Sequence, residues 1–586
     1  MRLLARLPRV LALAGILAVA AIARFPLTDY GRPHVYHPDE VQQMHDPVRF
    51  LDSVRRANFT LPMSAVGWLF LAAIGAYALA GRALGVFSSR AAVEHGFLRE
   101  DFGFFLWTRR LVAATSLACV LLSGWLAQTV FASPSLALLA SGLYAVSLVD
   151  VSSAHWVKQD VPVNLCLLVA QIALVRLART PRRRDWIAAG AAVGLAVAAR
   201  WNALPLLASL LPLVGRPAPE DAPRGRPRFG ELLATALVTY LVITLRPLVW
   251  ASRALGQTPV YPTQPYEEVL VQRYRELMGA PASVLAQAGS NVVFYLDAAA
   301  ATMGWPFVVL AAVGIAAALR HPSTAVRQLG LVPLAYVPFL LPVRVRETRY
   351  LLPLIPYACI LSSWVVWSLA RRLGRRSRLA GAGAALVLGG SLLVEAARPT
   401  LAYVAFLRNH TDTRTATARW IDGHIPPGSV IAVEKYHELP NLLPPLVESE
   451  GQMRMKIEAG RRLGLGSGRV REAWLEAYPS RTFTIISLSA RPVFGSPWGA
   501  ELENAYDMTL LHRQGVAYVL LADHAAAERS RAFAAQLRRE GELLQRFESD
   551  APPRVRPLLA ATGGFLDPSL EIWRLTGAGA RPGGPP

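Results

Sequence analysis

The chain has 586 residues, of which 53% are hydrophobic and only 17% are charged. Soluble domains carry about 25% charged residues, so the composition excludes an ordinary soluble protein over the whole length. The formal net charge is +21, but the arginines cluster between apolar runs. Such clusters are typical of the cytoplasmic loops of membrane proteins and argue against nucleic-acid binding.

Eleven apolar runs are candidates for membrane-spanning helices, which need about 20 residues each. The first run is followed by Arg24, Phe25 and Pro26 rather than by a small-residue cleavage site, so we interpret it as a spanning helix and not as a signal peptide. The runs are 4–24, 110–131, 135–151, 161–178, 186–199, 203–215, 231–248, 301–319, 328–343, 350–369 and 379–396.

The basic loops fix the expected direction of these helices. Arginines at the start of the chain predict an N-terminus inside the cell, and an odd number of spans predicts that residues 398–586 lie outside. A further apolar run, 63–87, is interrupted by Gly67, Gly75, Gly81 and Arg82. We expect this run to lie in the outer interface of the membrane. The alternative is a true span, which would place the two loops beside it on opposite sides.

The sequence predicts a mostly helical membrane protein with two parts. Residues 1–397 form the transmembrane part, in which 25–109 is the first outer loop, and residues 398–586 form a small extracytoplasmic α/β domain. In the latter we expect helices at 413–423 and 525–547 and strands at 430–434, 482–488, 516–522 and 569–575.

Two acidic motifs fall on the outer face in this topology. In His37-Pro38-Asp39-Glu40, one carboxylate can act chemically while its neighbour orients or binds a metal. The alternative is that Asp39 only caps a helix. The second motif runs from His155 to Asp160 and places Lys158 two residues before the acid, although Asp160 could also serve as a cap.

Cations suited to phosphate binding fall on the same face. Arg200 lies between two short apolar runs, and Arg346 and Arg349 precede Tyr350 on the side where positive charge is disfavoured. Guanidinium groups bind phosphate oxygens bidentately. The alternatives are that Arg200 extends to the membrane interface and that Glu347 neutralises one of its neighbours.

Acids and phosphate-seeking cations on one face suit glycosyl transfer from a lipid phosphate. A carboxylate takes the proton from the acceptor hydroxyl, and fixed cations stabilise the charge that grows on the leaving phosphate. His37, His155, Asp39 and Glu40 have the donor atoms for a divalent metal, but their spacing does not require one.

These motifs resemble the GT-C superfamily, in particular bacterial transferases of glycosyltransferase family 39 type, which are similar to protein O-mannosyltransferases and aminoarabinose transferases. The resemblance covers about residues 1–400. The motifs are His37 to Glu40, Asn58 to Pro62, Ser153 to Pro162, Ala198 to Asn202 and Arg349 to Pro356.

The resemblance implies a polyprenyl-phosphate sugar donor, with Asp39 as the base, Glu40 as its neighbour and Asp160 as a second acid. It implies phosphate contacts from Lys158, Arg200 and Arg349. Phe59-Thr60-Leu61-Pro62 and Arg200 depart from the residues common in the family, which leaves the sugar and the acceptor undefined.

We therefore expect a transferase in a bacterial inner membrane that moves a sugar to a glycan, lipid or protein acceptor. One alternative is a transferase of another lipid-borne group, for which the tail lacks an evident His/Asp cluster. Another is a lipid or sugar flippase, for which the sequence shows no internal repeat.

Overall fold

The structure is a computed structural model of the full chain. It describes residues 7–55, 62–179, 182–214, 228–254, 281–343, 346–434, 443–462, 472, 475, 478–488, 503–522, 531–561 and 566–576.

The described chain is mostly helical up to residue 424. Helices α1 to α9 are Leu7–Arg24, Pro38–Arg55, Ala65–Ala83, Arg90–Leu98, Phe102–Phe131, Pro134–Ala145, Leu148–Ala154, Asp160–Arg179 and Arg183–Ala199. Helices α10 to α17 are Phe229–Thr244, Arg246–Ala254, Pro281–Met303, Trp305–Leu319, Thr324–Leu340, Ile355–Gly374, Arg378–Asn409 and Thr413–His424. Three 3₁₀ helices occupy Phe25–Leu27, Trp201–Leu213 and Thr348–Leu351.

Apolar helices long enough to cross a membrane confirm a multi-pass membrane protein. Within the described residues there are five such helices, or up to eight if each of three bent pairs forms one span. Two shorter apolar helices, Trp201–Leu213 and Thr324–Leu340, add to these. The count of about eleven spans stays a prediction.

Helix α3 is apolar and long enough to span, but both of its ends lie near the same side of the helical bundle. At its start, Met63 N–H donates to Thr244 O at 3.2 Å, at the end of α10. Near its other end, the ring of Tyr77 lies 4.8 Å from that of Phe104, in the first turn of α5. These contacts support the predicted interfacial position, which stays a prediction.

The end of α10 and the start of α5 lie on the same side of the helical bundle. Helices α9 and α10 run in the same direction, as two successive contacts show: Gly190 lies against Leu232, and four residues further along both helices Gly194 lies against Ala236. Arg200, which follows α9, contacts Asp160 in the ionic site described below, and Arg109, near the start of α5, contacts Glu40, the neighbour of Asp39 in that site. Both helix ends therefore lie on the side of the bundle that carries the site.

A fully buried ion pair joins α1 to the segment before the second acidic motif. Arg24, at the end of α1, donates to Asp150 at 2.7 Å, and both side chains are inaccessible to solvent. Tyr144 O–H also donates to Asp150, at 2.7 Å. A buried charge is tolerated only when it is paired and hydrogen-bonded, so these contacts fix α1 against the segment that leads to the second acidic motif.

The tail contains one six-stranded sheet with helices. Helices α18 to α21 are Glu450–Arg462, Met508–Arg513, Arg531–Glu540 and Arg556–Ala561. Strands β1 to β6 are Val430–Glu434, Thr484–Leu488, Glu503–Asn504, Tyr518–Ala522, Gly541–Phe547 and Leu570–Leu575. The strand order is β3-β2-β1-β4-β6-β5, in which β1 to β4 are parallel and β6 is antiparallel to both of its neighbours.

The tail elements confirm most of the sequence predictions. The helix at 413–423 and the strands at 430–434, 482–488, 516–522 and 569–575 are present within two residues of the expected bounds. The charged helix predicted at 525–547 is wrong at its end, because it stops at Glu540 and Gly541–Phe547 forms β5. Pairing with β6 along the sheet edge outweighs the helical charge pattern there.

The tail is attached to the end of the helical part that carries the first loop, by polar and apolar contacts. The predicted boundary at residue 397 falls inside α16. Arg414 is fully buried, pairs with Asp412 at 2.7 Å, and lies 4.0 Å from the ring centre of Tyr36 in the first outer loop. Tyr30 O–H donates to the same Asp412 at 3.0 Å. The first loop and the tail therefore share one buried interface.

Candidate functional site

Asp39 and Arg349 form the centre of the candidate site. Asp39 lies in the first turn of α2, where its backbone N–H donates to Nδ1 of His37 at 3.2 Å, so its carboxylate is not the helix cap. Arg349 lies in the 3₁₀ helix Thr348–Leu351 and donates from Nη1 to Oδ2 of Asp39 at 2.6 Å. The Asp39 side chain is 38% exposed and the Arg349 side chain 17%, so the pair is accessible from one side.

Asp160 brings a second carboxylate to the same guanidinium. Nη1 of Arg349 lies 3.9 Å from Oδ2 of Asp160, and Nη1 of Arg200 donates to Oδ1 of Asp160 at 2.8 Å. Glu347 completes the group by accepting from Nη2 of Arg349 at 2.7 Å. The ionic cluster thus contains Asp39, Asp160, Glu347, Arg200 and Arg349, drawn from four distant segments.

Lys158 adds a buried cation beside this cluster, in the loop before α8. Burial and the nearby Arg349 lower the pKa of Lys158 to about 8, although Asp39, Glu347 and Asp160 favour its charged form. Burial alone would lower the pKa of Arg349, but Asp160, Glu347 and Asp39 together raise it well above its ordinary value. Arg349 is therefore a permanent cation and Lys158 a titratable one.

Glu40 does not face the ionic cluster, so the structure does not bring this predicted catalytic residue to the site. Both of its oxygens accept from Arg109, at 2.8 and 2.7 Å, and both side chains are fully buried. Oε1 of Glu40 also accepts the Val157 N–H at 2.7 Å. The carboxylate thus connects α2, α5 and the loop that carries Lys158.

The two candidate histidines are buried beside Trp156 rather than exposed to a substrate. His37 lies 5.4 Å from the Trp156 ring centre, and burial, followed by Lys158, lowers its pKa well below the ordinary value. Nδ1 of His155 lies 2.9 Å from Val151 O, and its Nε2 lies 3.3 Å from Tyr403 Oη. Burial lowers the pKa of His155 to about 3, so its neutral form predominates at pH 7.

Arg346 and Tyr350 flank the cluster without joining its ion pairs. Arg346 is exposed and donates to Asn291 at 2.8 Å and Ser290 at 2.6 Å, on α12. The ring of Tyr350 lies 5.8 Å from the guanidinium carbon of Arg349. The predicted motif at 58–61 and residues 344 and 345 lie outside the described residues.

A metal centre built from the four predicted donors does not form in the described part of the chain. There, the group with metal-type distances is His410, Asp550 and Asp567, in the tail, where the sequence alone showed no evident His/Asp cluster. In that group Asp550 lies 2.8 Å from Nδ1 of His410, and Asp567 lies 2.6 Å from Nε2. The two carboxylates contact different ring nitrogens. This arrangement suits a protonated His410 that donates to both carboxylates better than a metal ion that all three residues bind.

Arg109 is the main contributor that the sequence reasoning missed. It lies near the start of α5, and besides Glu40 it donates to Thr28 O at 3.0 Å and Tyr30 O at 2.9 Å. The predicted topology places this helix end outside, against the positive-inside trend, and that is a signal that could have identified Arg109.

Comparisons with known proteins give no sequence relative and a clear likeness of fold. No family model and no curated protein matches the chain. The apo structure of ArnT from Cupriavidus metallidurans is 15% identical with a TM-score of 0.50, over 96% of this chain and 97% of that one.

Two further solved structures align with lower scores. ArnT of the same organism bound to undecaprenyl phosphate is 16% identical with a TM-score of 0.44, over 98% of this chain and 99% of that one. The arabinofuranosyltransferase AftD from Mycobacteria is 15% identical with a TM-score of 0.32, over 96% of this chain and 41% of that one. From the likeness to apo ArnT, together with its helices and small sheet, this chain has an ArnT-like fold.

Proposed function

We propose that the chain is a glycosyltransferase that moves a sugar from a polyprenyl-phosphate donor to an acceptor hydroxyl at the outer face of a bacterial inner membrane. The observation that carries this proposal is Arg349 between Asp39 and Asp160. The fixed guanidinium can contact a donor phosphate, and one of the two carboxylates beside it can act as the base. The group is open on one side.

The proposed base is Asp39. It is the more exposed of the two acids, 38% against 8% for Asp160, so an acceptor hydroxyl can reach it. A donor phosphate near Arg349 competes with Asp39 for the guanidinium, and an Asp39 oxygen released in this way can accept the proton of the attacking hydroxyl. Asp160, held by Arg200, keeps the cations in place.

The proposed role of Lys158, Arg200 and Arg349 is to stabilise the leaving phosphate. The bond from the anomeric carbon to the phosphate oxygen breaks as the acceptor oxygen bonds to that carbon, and negative charge grows on the phosphate. Preorganised cations in a water-poor site stabilise such charge, and removal of one comparable group costs about 10²–10³ in turnover. Glu40 and Arg109 are proposed to position this loop rather than to react.

The polyprenyl carrier is proposed from the combination of a membrane fold and a cationic cluster at its rim. ArnT from C. metallidurans has been solved with undecaprenyl phosphate. A lipid-borne donor fits a site reached from the membrane, whereas a flippase needs no base and breaks no bond.

The experiment measures the release of undecaprenyl phosphate from undecaprenyl-phosphate-linked sugars in membrane vesicles, so that neither the sugar nor the acceptor has to be known. We expect Asp39→Asn to lower the release by about 10²–10⁴. Asp46→Asn, two turns further along α2, is the matched control and keeps activity. Wild-type release by a folded Asp39→Asn protein would contradict the proposal.

A further inference from the structure

A cavity with charged lining residues lies beside the first loop, apart from the ionic cluster. It has a volume of about 600 Å³ and lies between the turn at Arg32, the end of α3 and the start of α5. Its lining includes Arg32, Tyr77, Arg99, Glu100, Trp107 and Arg110. The mechanism proposed above uses none of them.

The charges around this cavity favour an anion. Arg32 and Arg110 are exposed where they line it, and Arg99 is half-buried. The two acids have local roles, since Asp101 caps α5 by accepting the Gly103 N–H at 2.8 Å and Glu100 lies 3.7 Å from Nε2 of His45. The positive end of the 30-residue helix α5 also faces the cavity.

Part of the lining is aromatic, and the segment that follows it is apolar. The rings of Tyr77 and Trp107 lie 6.2 Å apart, and the Trp107 side chain is exposed. Leu79, Leu84 and Val86, which follow Tyr77 in the chain, are 74%, 80% and 62% exposed. Exposed leucines next to tryptophan and arginine are typical of a segment that lies in the membrane interface.

We propose that this cavity binds the phosphate headgroup of a lipid from the surrounding leaflet. Arg32 and Arg110 contact the phosphate, while the acyl chains lie along Tyr77, Trp107 and the exposed leucines. The exposed apolar segment favours a lipid over a soluble phosphate, because a soluble anion gains nothing from it. Helix α5 therefore serves two sites, since Arg109 faces Glu40 and the next residue, Arg110, faces the lipid.

The site can be tested on the purified full chain by native mass spectrometry with phosphatidic acid, and with phosphatidylcholine of the same acyl chains. We expect tighter binding of phosphatidic acid to the wild type. The double variant Arg32→Gln/Arg110→Gln should weaken this binding about fivefold to tenfold, as two exposed ionic contacts would. Arg398→Gln/Arg408→Gln, two exposed arginines on α16, is the charge-matched control and should bind as the wild type does.

Three results would overturn the proposal. Equal weakening in both double variants would mean that only net charge matters, and displacement of the lipid by millimolar inorganic phosphate would mean that the ligand is a soluble anion. Weaker binding of phosphatidic acid to Arg349→Gln, with unchanged binding to Arg32→Gln/Arg110→Gln, would place the lipid at the ionic cluster. Because the readout is binding, it stands apart from the test of the transferase activity.

Discussion

The Arg109–Glu40 ion pair gives the sharpest quantitative test of the structure. Replacement of Arg109 by Met removes four hydrogen bonds, two to Glu40 and one each to Thr28 O and Tyr30 O. It also leaves the Glu40 carboxylate fully buried without a counter-charge. Breaking a buried pair on one side costs about 3–5 kcal/mol, which is a large share of the 5–15 kcal/mol that stabilises a typical protein.

We therefore expect Arg109→Met to lower the free energy of unfolding by about 3–5 kcal/mol. Equilibrium unfolding of the detergent-solubilised protein by added sodium dodecyl sulfate measures this loss. The matched control is Arg110→Met, the next residue on α5, which is exposed and should change the free energy by no more than about 0.5 kcal/mol.

A double variant separates the buried charge from the lost packing. In Arg109→Met/Glu40→Gln the side chain at position 40 is neutral, and its amide oxygen can still accept the Val157 N–H. We expect this protein to be more stable than Arg109→Met alone, because no uncompensated carboxylate remains. A double variant as unstable as the single one would refute the assignment of the cost to the buried carboxylate.

Two further predictions concern the pH profile and the membrane topology. Because the pKa of Lys158 is about 8, its cation is present below that pH, and the kcat/KM for undecaprenyl-phosphate release should decline as the pH rises through about 8. Lys158→Arg keeps its charge and should lose this decline, and an unchanged profile in the variant would exclude Lys158 as its source. Without its native cysteines, the chain carrying Ser88→Cys should react with a membrane-impermeant maleimide in intact cells. Arg376→Cys, in the turn after α15, should react only after permeabilisation, and the same behaviour at position 88 would mean that α3 spans the membrane.

Membrane topology alone predicts which loops of the candidate site lie on the same face, and this part of the site could be predicted from the sequence. Basic loops assign the loops that hold Asp39, Asp160 and Arg349 to one face, and at this face the three side chains form a single cluster. Their catalytic and binding roles stay predictions. Topology cannot show which charges pair, because that depends on the rotation and register of packed helices.

Glu40 illustrates this limit. It is adjacent to Asp39 in the sequence, but successive residues on a helix point about 100° apart, so its carboxylate faces Arg109, 69 residues away, and not the cluster. The predicted end of the helix at 525–547 is wrong for a related reason. Residues 541–547 carry a helix-like charge pattern, but the exposed edge of β6 offers them hydrogen bonds that only the folded sheet provides.

The shared interface between the first outer loop and the tail affects how the chain is made. The partners in the Tyr30–Asp412 hydrogen bond are 382 residues apart. At a synthesis rate of about 5–20 residues per second, the loop emerges roughly 20 to 80 s before its partner exists. During that interval Tyr30 and Tyr36 lack their partners Asp412 and Arg414. Assembly of this region is therefore completed only after residue 414 has been translated.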